Sequence, residues 1–327
     1  VATIIAITSD EHCGSSVGLM SPKGVYHDDG QWTGPSKGQT WLWDCWRRTW
    51  DMVAELQSKY SADVFWINNG DLVDGPLHHS TYQTSAITRA MEREVVRDVL
   101  DVPLGLNLRR LFFVRGTESH VGKGAAQEEG IAKALSDDWP VEPETDRRFS
   151  WWHLMMECED VFLDCTHHGR SGQRPWTQWN ATALLAAQIT LERVKSGERL
   201  PDLAIRSHYH RYADSYDAQP VRVIQTPAFQ LATSYVTKVV PESLADIGGI
   251  AIVVDGDQYE VHKQLFIPSR GRVCKKSANV SARFSQMAVW KSPASSAPAL
   301  TAYSPPYPLT AWSPKTKLLR LGKPCVI

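Results

Sequence analysis

Short apolar runs of strand length recur through the first 270 residues, and stretches with helical periodicity separate them. The strand signals fall at Ala2–Thr8, Asp63–Asn68, Leu108–Val114, Val161–Thr166, Leu203–Ser207, Val221–Thr226 and Ile250–Val254. Helical spacing of apolar residues covers Thr40–Tyr60, Thr84–Val99, Ala125–Leu135 and Ala181–Ser196. This alternation predicts an α/β domain with a largely parallel or mixed sheet. Toward its end, Ile250–Val254, the turn Asp255-Gly256-Asp257 and Tyr259–Ile267 carry a hairpin signal, so the later strands are expected to be antiparallel.

Composition removes several function classes. With 43% hydrophobic and 22% charged residues, the chain is too ordinary for disorder, a collagen-like repeat or a coiled coil to dominate. Lys and Arg number 35 against 36 Asp and Glu, so no global basic field draws nucleic acid to it. The six cysteines contain no C-x-x-C pair and fit reduced thiols in a cytoplasm. No apolar run reaches the length of a membrane span, and the opening Val-Ala-Thr-Ile-Ile-Ala-Ile reads as a strand in place of a signal peptide. A cytoplasmic protein without a membrane partner is expected. After residue 270 the texture turns to Pro, Ser, Ala and Tyr without a period. The expected division is therefore a domain at 1–270 and a Pro/Ser-rich extension, extended or disordered, at 271–327.

The chemistry gathers at the predicted strand exits. Asp10-x-His12 follows the first strand, Gly70-Asp71-Leu72-Val73-Asp74-Gly75 the second, and Gly116-Thr117-Glu118-Ser119-His120 the third. His167-His168-Gly169 follows a fourth and His208-Tyr209-His210 a fifth, so these loops hold six of the eleven histidines. Ligand sites of α/β sheets form at the carboxyl ends of strands, which lets five loops converge on one cleft. Each piece alone is a short motif that chance supplies. Five in order, each at a strand exit, are not. The two rings of H-x-H share a side only if the backbone between them is extended.

In these blocks the sequence resembles the calcineurin-like metallophosphoesterase superfamily, whose signature runs D-x-H, G-D-x-x-[DG], G-N-H-[DE], H-G and G-H-x-H. The resemblance covers roughly residues 3–270 and implies a two-layer sandwich of mixed β-sheets flanked by helices, with two divalent metal ions at the sheet edge. It implies that Asp71 bridges the metals, that Asp10, His12 and His210 complete one, and that His168 and His208 hold the other. The third block departs from the pattern, and its G-T-E-x-H variant resembles phage-encoded members. Thr117 stands where the family has Asn, but Glu118 is the stronger oxygen ligand and is assigned to the metal. His120 is the candidate to protonate the leaving oxygen, one residue out of the family's register. Asp74 and His167 are candidates to orient the ligands, His167 being equally readable as a core or surface residue.

Mixed His and Asp ligands suit Zn, Mn or Fe better than Mg or Ca, and two such ions clamp an in-line phosphoryl displacement. The expected activity is therefore phosphoester hydrolysis, with a phosphodiester (a nucleotide or a DNA or RNA strand) favoured. The alternatives are a phosphomonoesterase or a binding protein that has lost catalysis.

Other features divide between functional and plain readings. Gly116 to Lys123 fails the Walker A pattern in both spacing and the residue after Lys123. Trp43, Trp46 and Trp50 fall at helical spacing and read as a packed face before a base-stacking platform. Arg170, Arg174 and Arg211 flank the histidine loops and suit a substrate phosphate, as does His79 beyond the Asp71 loop. The long polar stretch Cys13–Gly38 has the length of a functional loop and is read as a substrate lid.

Overall fold

The computed structural model describes residues 2–75, 83–86, 88–169 and 177–268. The chain divides at Arg270, and the extension 271–327 lies outside the described residues. In chain order the strands and helices are β1 (Thr3–Thr8), β2 (Val25–Tyr26), β3 (Trp32–Thr33), α1 (Lys37–Tyr60), β4 (Asp63–Asn68), α2 (Arg89–Leu104), β5 (Leu108–Phe113), α3 (Glu118–Val121) and α4 (Ala126–Leu135). They continue as β6 (Leu154–Cys158), β7 (Val161–Cys165), α5 (Gln178–Ser196), β8 (Leu203–Arg206), β9 (Ala213–Asp214), β10 (Arg222–Gln225), α6 (Ser234–Val239), β11 (Ile247–Asp255) and β12 (Gln258–Phe266). Among the described residues, no helix is long and apolar enough to cross a membrane.

Two five-stranded mixed sheets carry the fold, in the orders β12-β11-β1-β4-β5 and β6-β7-β8-β10-β9. β1, β4 and β5 run parallel, as do β7, β8 and β10, while β11, β12, β6 and β9 are antiparallel additions. The two-residue pleat sorts side chains between layers. Ile5, Ile7, Ile67 and Phe112 of the first sheet meet Leu163, Leu203, Ile205 and Ile224 of the second. On the opposite face of the first sheet, Ile4, Ala6, Val64, Trp66 and Phe113 pack with Leu42, Trp46, Trp50 and Val53 of α1 and with Val95 and Val99 of α2. Ala186 of α5 covers Ala204 and Val223 on the outside of the second sheet. The architecture is a mixed α/β sandwich of two sheets with helices on both outer faces.

Local chemistry explains the element bounds. Ser36 and Gln39 cap α1 reciprocally, Gln39 N donating to Ser36 Oγ at 3.2 Å and Ser36 N to Gln39 Oε1 at 3.0 Å. The tryptophans of α1 are packing residues. Trp46 is fully buried, edge-on to Trp50 and Phe229. Helix α2 starts at Arg89 behind the Thr88 cap, five residues later than its periodicity suggests, and runs through Pro103. Pro103 cannot donate to the Val99 carbonyl. The Trp46 indole N–H takes that acceptor at 3.2 Å. At the other end, Gly256 holds φ +65° in the two-residue turn of the β11–β12 hairpin.

Part of the stretch expected as a lid is core. Cys13, Leu19, Met20 and Val25 are buried beside α1 and α2, while Pro22, Lys23 and much of the β2–β3 ribbon reach solvent. Four apolar side chains in a polar-looking stretch are enough to pin that part down.

Candidate metal centre

All six parallel strands send their carboxyl ends to one edge of the sandwich, and the loops that follow bond to one another through their backbones. Asp10 N donates to Gly70 O at 2.9 Å and His12 N to Asp71 O at 3.0 Å, which fixes the β1 loop on the β4 loop. Phe229 N reaches Asp10 O at 3.0 Å, and Asp246 N reaches His210 O at 2.9 Å. Two glycines permit this closeness. A Cβ on Gly116 would fall 2.2 Å from Asp71 Oδ1, and one on Gly70, at φ +95°, would fall 2.5 Å from His167 Nδ1.

Three overlapping groups of side chains converge there: Asp10 with His12 and His210, Asp71 with His12 and His120, and Asp71 with His167 and His208. His12 Nε2 and His210 Nε2 face each other at 3.3 Å, and Asp10 Oδ1 lies 3.3 Å from His210 Nε2. Asp71 is shared between two of the groups. Its Oδ2 lies 3.0 Å from His167 Nε2, and its Oδ1 accepts the Thr117 N–H at 2.6 Å.

The backbone is unusual at these positions. Asp10, His12, Asp71, His208 and His210 hold φ values of 55°, 46°, 57°, 77° and 53°. The expectation that the H-x-H backbone is extended is thereby corrected. Both histidines are left-handed, and the turn at Tyr209 brings their rings to the cluster by a different route. Side chains other than Gly rarely adopt this conformation, although Asp and His do so more readily than most. Such residues persist where surrounding contacts hold them, and they concentrate at functional sites.

Burial sets the electrostatics. Burial alone would raise the Asp10 carboxyl, but the His167 and His210 charges, with the His12 ring beside them, hold it well below the usual carboxylate range. Asp71 is likewise desolvated, and His167 brings it below that range. Burial pulls His167 down, yet the Asp71 and Asp10 charges push it up to about 10. His208 moves the other way, down to about 4, through burial and then the His167 charge. Two buried carboxylates therefore gather positive charge onto neighbouring rings.

The residues fit a pair of divalent cations. Asp10 Oδ1 and His12 Nδ1 are buried without a hydrogen-bond partner, and the Nε2 atoms of His12 and His210 face one another. A cation supplies the missing partner, and imidazole with carboxylate suits Zn, Mn or Fe. His167 Nδ1 donates to the Asn69 carbonyl at 2.7 Å, which turns Nε2 toward Asp71, the usual arrangement of a ligating imidazole. His167 thus joins Asp71 and His208, and His168, expected as the ligand, stands beside them with its ring 4.8 Å from that of His208. His168 is exposed at the rim, its Nε2 3.3 Å from Thr117 Oγ1. The adjacent histidines are indistinguishable as letters, and only the buried register separates them.

Glu118, expected as a ligand, stands apart from these groups. Glu118 opens α3, is exposed, and its Oε1 accepts the Gly124 N–H at 2.8 Å, outside the three groups. Thr117 stands at the site in its stead, with Oγ1 3.1 Å from His208 Nδ1. His120 is brought in. Its Nδ1 lies 2.6 Å from Asp74 Oδ1, and its ring meets that of His12 edge-on at 4.6 Å. Asp74 Oδ1 is also 3.6 Å from His12 Nδ1, so one carboxylate backs both rings. Arg211 is half-buried and donates to Ser243 Oγ at 2.8 Å. His79, Arg170 and Arg174 lie outside the described residues.

Sequence reasoning missed Glu128 of α4. It is fully buried, accepting the Gly116 N–H at 2.6 Å on one oxygen and the Leu72 N–H at 3.2 Å on the other. Burial, and then the Asp71 charge, push its carboxyl up to about 8. It braces the Asp71 and Thr117 loops against each other. In Gln127-Glu128-Glu129 at the start of a helix, nothing distinguishes it from a solvated face.

No family model and no curated protein matches the chain. Among solved structures, Vacuolar Protein Sorting 29 from Cryptosporidium parvum aligns over 82% of this chain and 99% of its own at 7% identity, with a TM-score of 0.38. A dimetal phosphatase from Danio rerio aligns over 80% and 95% at 12% identity and 0.38. A 5'-nucleotidase from Candida albicans aligns over 80% and 50% at 10% identity and 0.39. These scores are low, and the reading of the site rests on its own geometry.

Proposed function

We propose that the chain is a dimetal phosphoesterase of the metallophosphoesterase type, acting on phosphodiesters such as nucleotides or nucleic acid strands. The observation that carries the reading is the convergence of Asp10, His12, Asp71, His167, His208 and His210 with donor atoms turned inward and Asp10 Oδ1 left without a hydrogen bond. Bound there, two divalent cations would supply Lewis-acid charge for the phosphoryl oxygens. Asp10, His12 and His210 would hold one. Asp71, His167 and His208, with the Thr117 hydroxyl at hand, would hold the other.

The chain's own groups divide the remaining work. Water adds to phosphorus in line as the bond to the leaving oxygen breaks, giving a phosphate monoester and an alcohol. Asp74 accepts the Nδ1–H of His120 and orients the ring, so that Nε2 is the atom that gives the leaving oxygen its proton. A built acid of this kind serves a poor leaving group such as an alkoxide, and an alkyl diester is the substrate proposed to use it.

The test is turnover of bis-p-nitrophenyl phosphate and p-nitrophenyl phosphate by chelator-stripped protein refilled with Mn, Zn or Fe, beside an Asp71→Ala variant. Diester cleavage that needs the metal and vanishes in the variant supports the reading. Preference for the monoester replaces the substrate class. Two bound ions without turnover on either ester would leave a binding protein and overturn the enzyme.

A further inference from the structure

Beneath the candidate centre lies a run of buried polar side chains that no sequence motif announces. Ser9 Oγ is 2.6 Å from Asp10 Oδ2, and Thr226 Oγ1 is 2.8 Å from Ser9 Oγ. Ser207 Oγ is 2.7 Å from Thr226 Oγ1, and Asn69 Nδ2 is 2.6 Å from Ser207 Oγ. Asn69, Ser207, Thr226, Ser9 and Asp10 are each 0% exposed. They leave the ends of β4, β8, β10 and β1, so the run crosses from one sheet to the other and back.

Its direction is forced. Asn69 Nδ2 also faces the Thr166 carbonyl at 3.1 Å, an acceptor only, so the amide nitrogen must sit there and must donate to Ser207. At the far end the Asp10 carboxylate only accepts. Each hydroxyl between them has one proton, so Ser207 donates to Thr226, Thr226 to Ser9 and Ser9 to Asp10. The Pro227 carbonyl competes for the Ser9 proton only at 3.4 Å. A one-way chain ending on a charge is strengthened link by link in a buried setting.

The consequence falls on the two oxygens of Asp10. Oδ2 accepts from Ser9 and also from the His208 N–H at 3.2 Å. Oδ1 accepts nothing and faces His210 Nε2, His12 Nε2 and His167 Nε2 at 3.3, 3.8 and 3.9 Å. We propose that Asn69, Ser207, Thr226 and Ser9 form a positioning relay that engages Asp10 Oδ2, reserves Oδ1 for a divalent cation and ties that choice to both sheets. Through the Asn69 carbonyl, which His167 Nδ1 bonds, the same relay reaches the ligands on the Asp71 side. The inference rests on the metal reading above.

The experiment is equilibrium binding of Mn²⁺ alone to the chelator-stripped full chain, with bound ions counted per chain. Thr226→Val keeps the shape and deletes the middle hydroxyl, and Thr226→Ser keeps the hydroxyl and deletes the methyl. Thr226→Val is expected to weaken one of two Mn²⁺ sites by about 10- to 100-fold, with Thr226→Ser close to wild type. If the valine variant does not fold, Ser207→Ala breaks the same chain and carries the same expectation. Wild-type protein that binds no Mn²⁺ overturns the metal reading and the relay together. Wild type with two sites and Thr226→Val indistinguishable from it overturns the relay alone, as does a serine variant that falls as far as the valine one.

Discussion

The pairing of Asp74 with His120 makes a sharp prediction, because a single substitution separates proton donation from the rest of the chemistry. In Asp74→Asn the carboxylate that takes the His120 Nδ1–H at 2.6 Å becomes an amide of the same shape. A hydrogen bond to a charged partner contributes about 1.5–3 kcal/mol, which as lost transition-state stabilisation is roughly 10- to 150-fold in kcat. That loss applies where the leaving oxygen needs a proton. Asp74→Asn is therefore expected to be slow on a dinucleoside phosphate, whose leaving group is an alkoxide, and much less impaired on bis-p-nitrophenyl phosphate, whose leaving group is a weak base. His120→Ala should show the same split, and the double variant should lose little more than either single one, since the two residues act as a unit. Asp74 also lies 3.6 Å from His12 Nδ1, so bound metal is counted in each sample before rates are compared. Equal losses on both substrates at unchanged metal content would refute the role given to His120.

Thr117→Val is expected to weaken Mn²⁺ binding by about tenfold through the lost hydroxyl, whereas Glu118→Ala should leave it unchanged; a metal titration of both decides, and the reverse order would reinstate the acidic ligand. Glu128→Gln can satisfy only one of the Leu72 and Gly116 N–H groups and should cost about 1–3 kcal/mol in urea unfolding. Asp164 is buried against Arg206 at 2.8 Å, with Arg193 at 3.3 Å and His153 at 3.1 Å. Burial opposes its charge, but His153 and Arg206 hold its carboxyl down at about 2. The bonus from that lowered value is present above the ordinary Asp range and is lost as pH falls toward 2. Asp164→Asn should thus lose a bonus of about 2 kcal/mol at pH 7, and urea curves taken downward from pH 5 should show the gap to wild type closing.

Much of the scaffold was legible because both faces of the central strands are buried, which writes them as unbroken apolar runs such as Thr3-Ile4-Ile5-Ala6-Ile7-Thr8. Strand β6 was not. It is an edge strand whose Met155 and Glu157 face solvent, and its Leu and Met residues carry little β signal. The start of α2 was read early because its pattern continues past Thr84, while the cap that begins it is a single hydrogen bond from Met91 N to Thr88 Oγ1. Pro103 signals a stop, and the Trp46 side chain that removes the penalty is 57 positions away in sequence, beyond any local window.

The site divides along the same line. Residue types were readable because the chemistry restricts them: His, Cys, Asp and Glu supply most side-chain donors to a transition metal. Which of His167 and His168, and which of Thr117 and Glu118, depends on backbone direction, and that is set by contacts between loops far apart in the chain. Five residues of the cluster hold left-handed backbone, a conformation that costs on the order of 1–3 kcal/mol per residue and is kept only where the surroundings over-determine it. Here the surroundings are the bonds from Asp10 N to Gly70 O and His12 N to Asp71 O, which join the β1 and β4 loops, with those from Phe229 N to Asp10 O and Asp246 N to His210 O, which join two further pairs. Strain and constraint are thus shared among linked loops, so a substitution such as Gly116→Ala, whose Cβ would strike Asp71 N at 2.3 Å, should disturb both halves of the centre and not one.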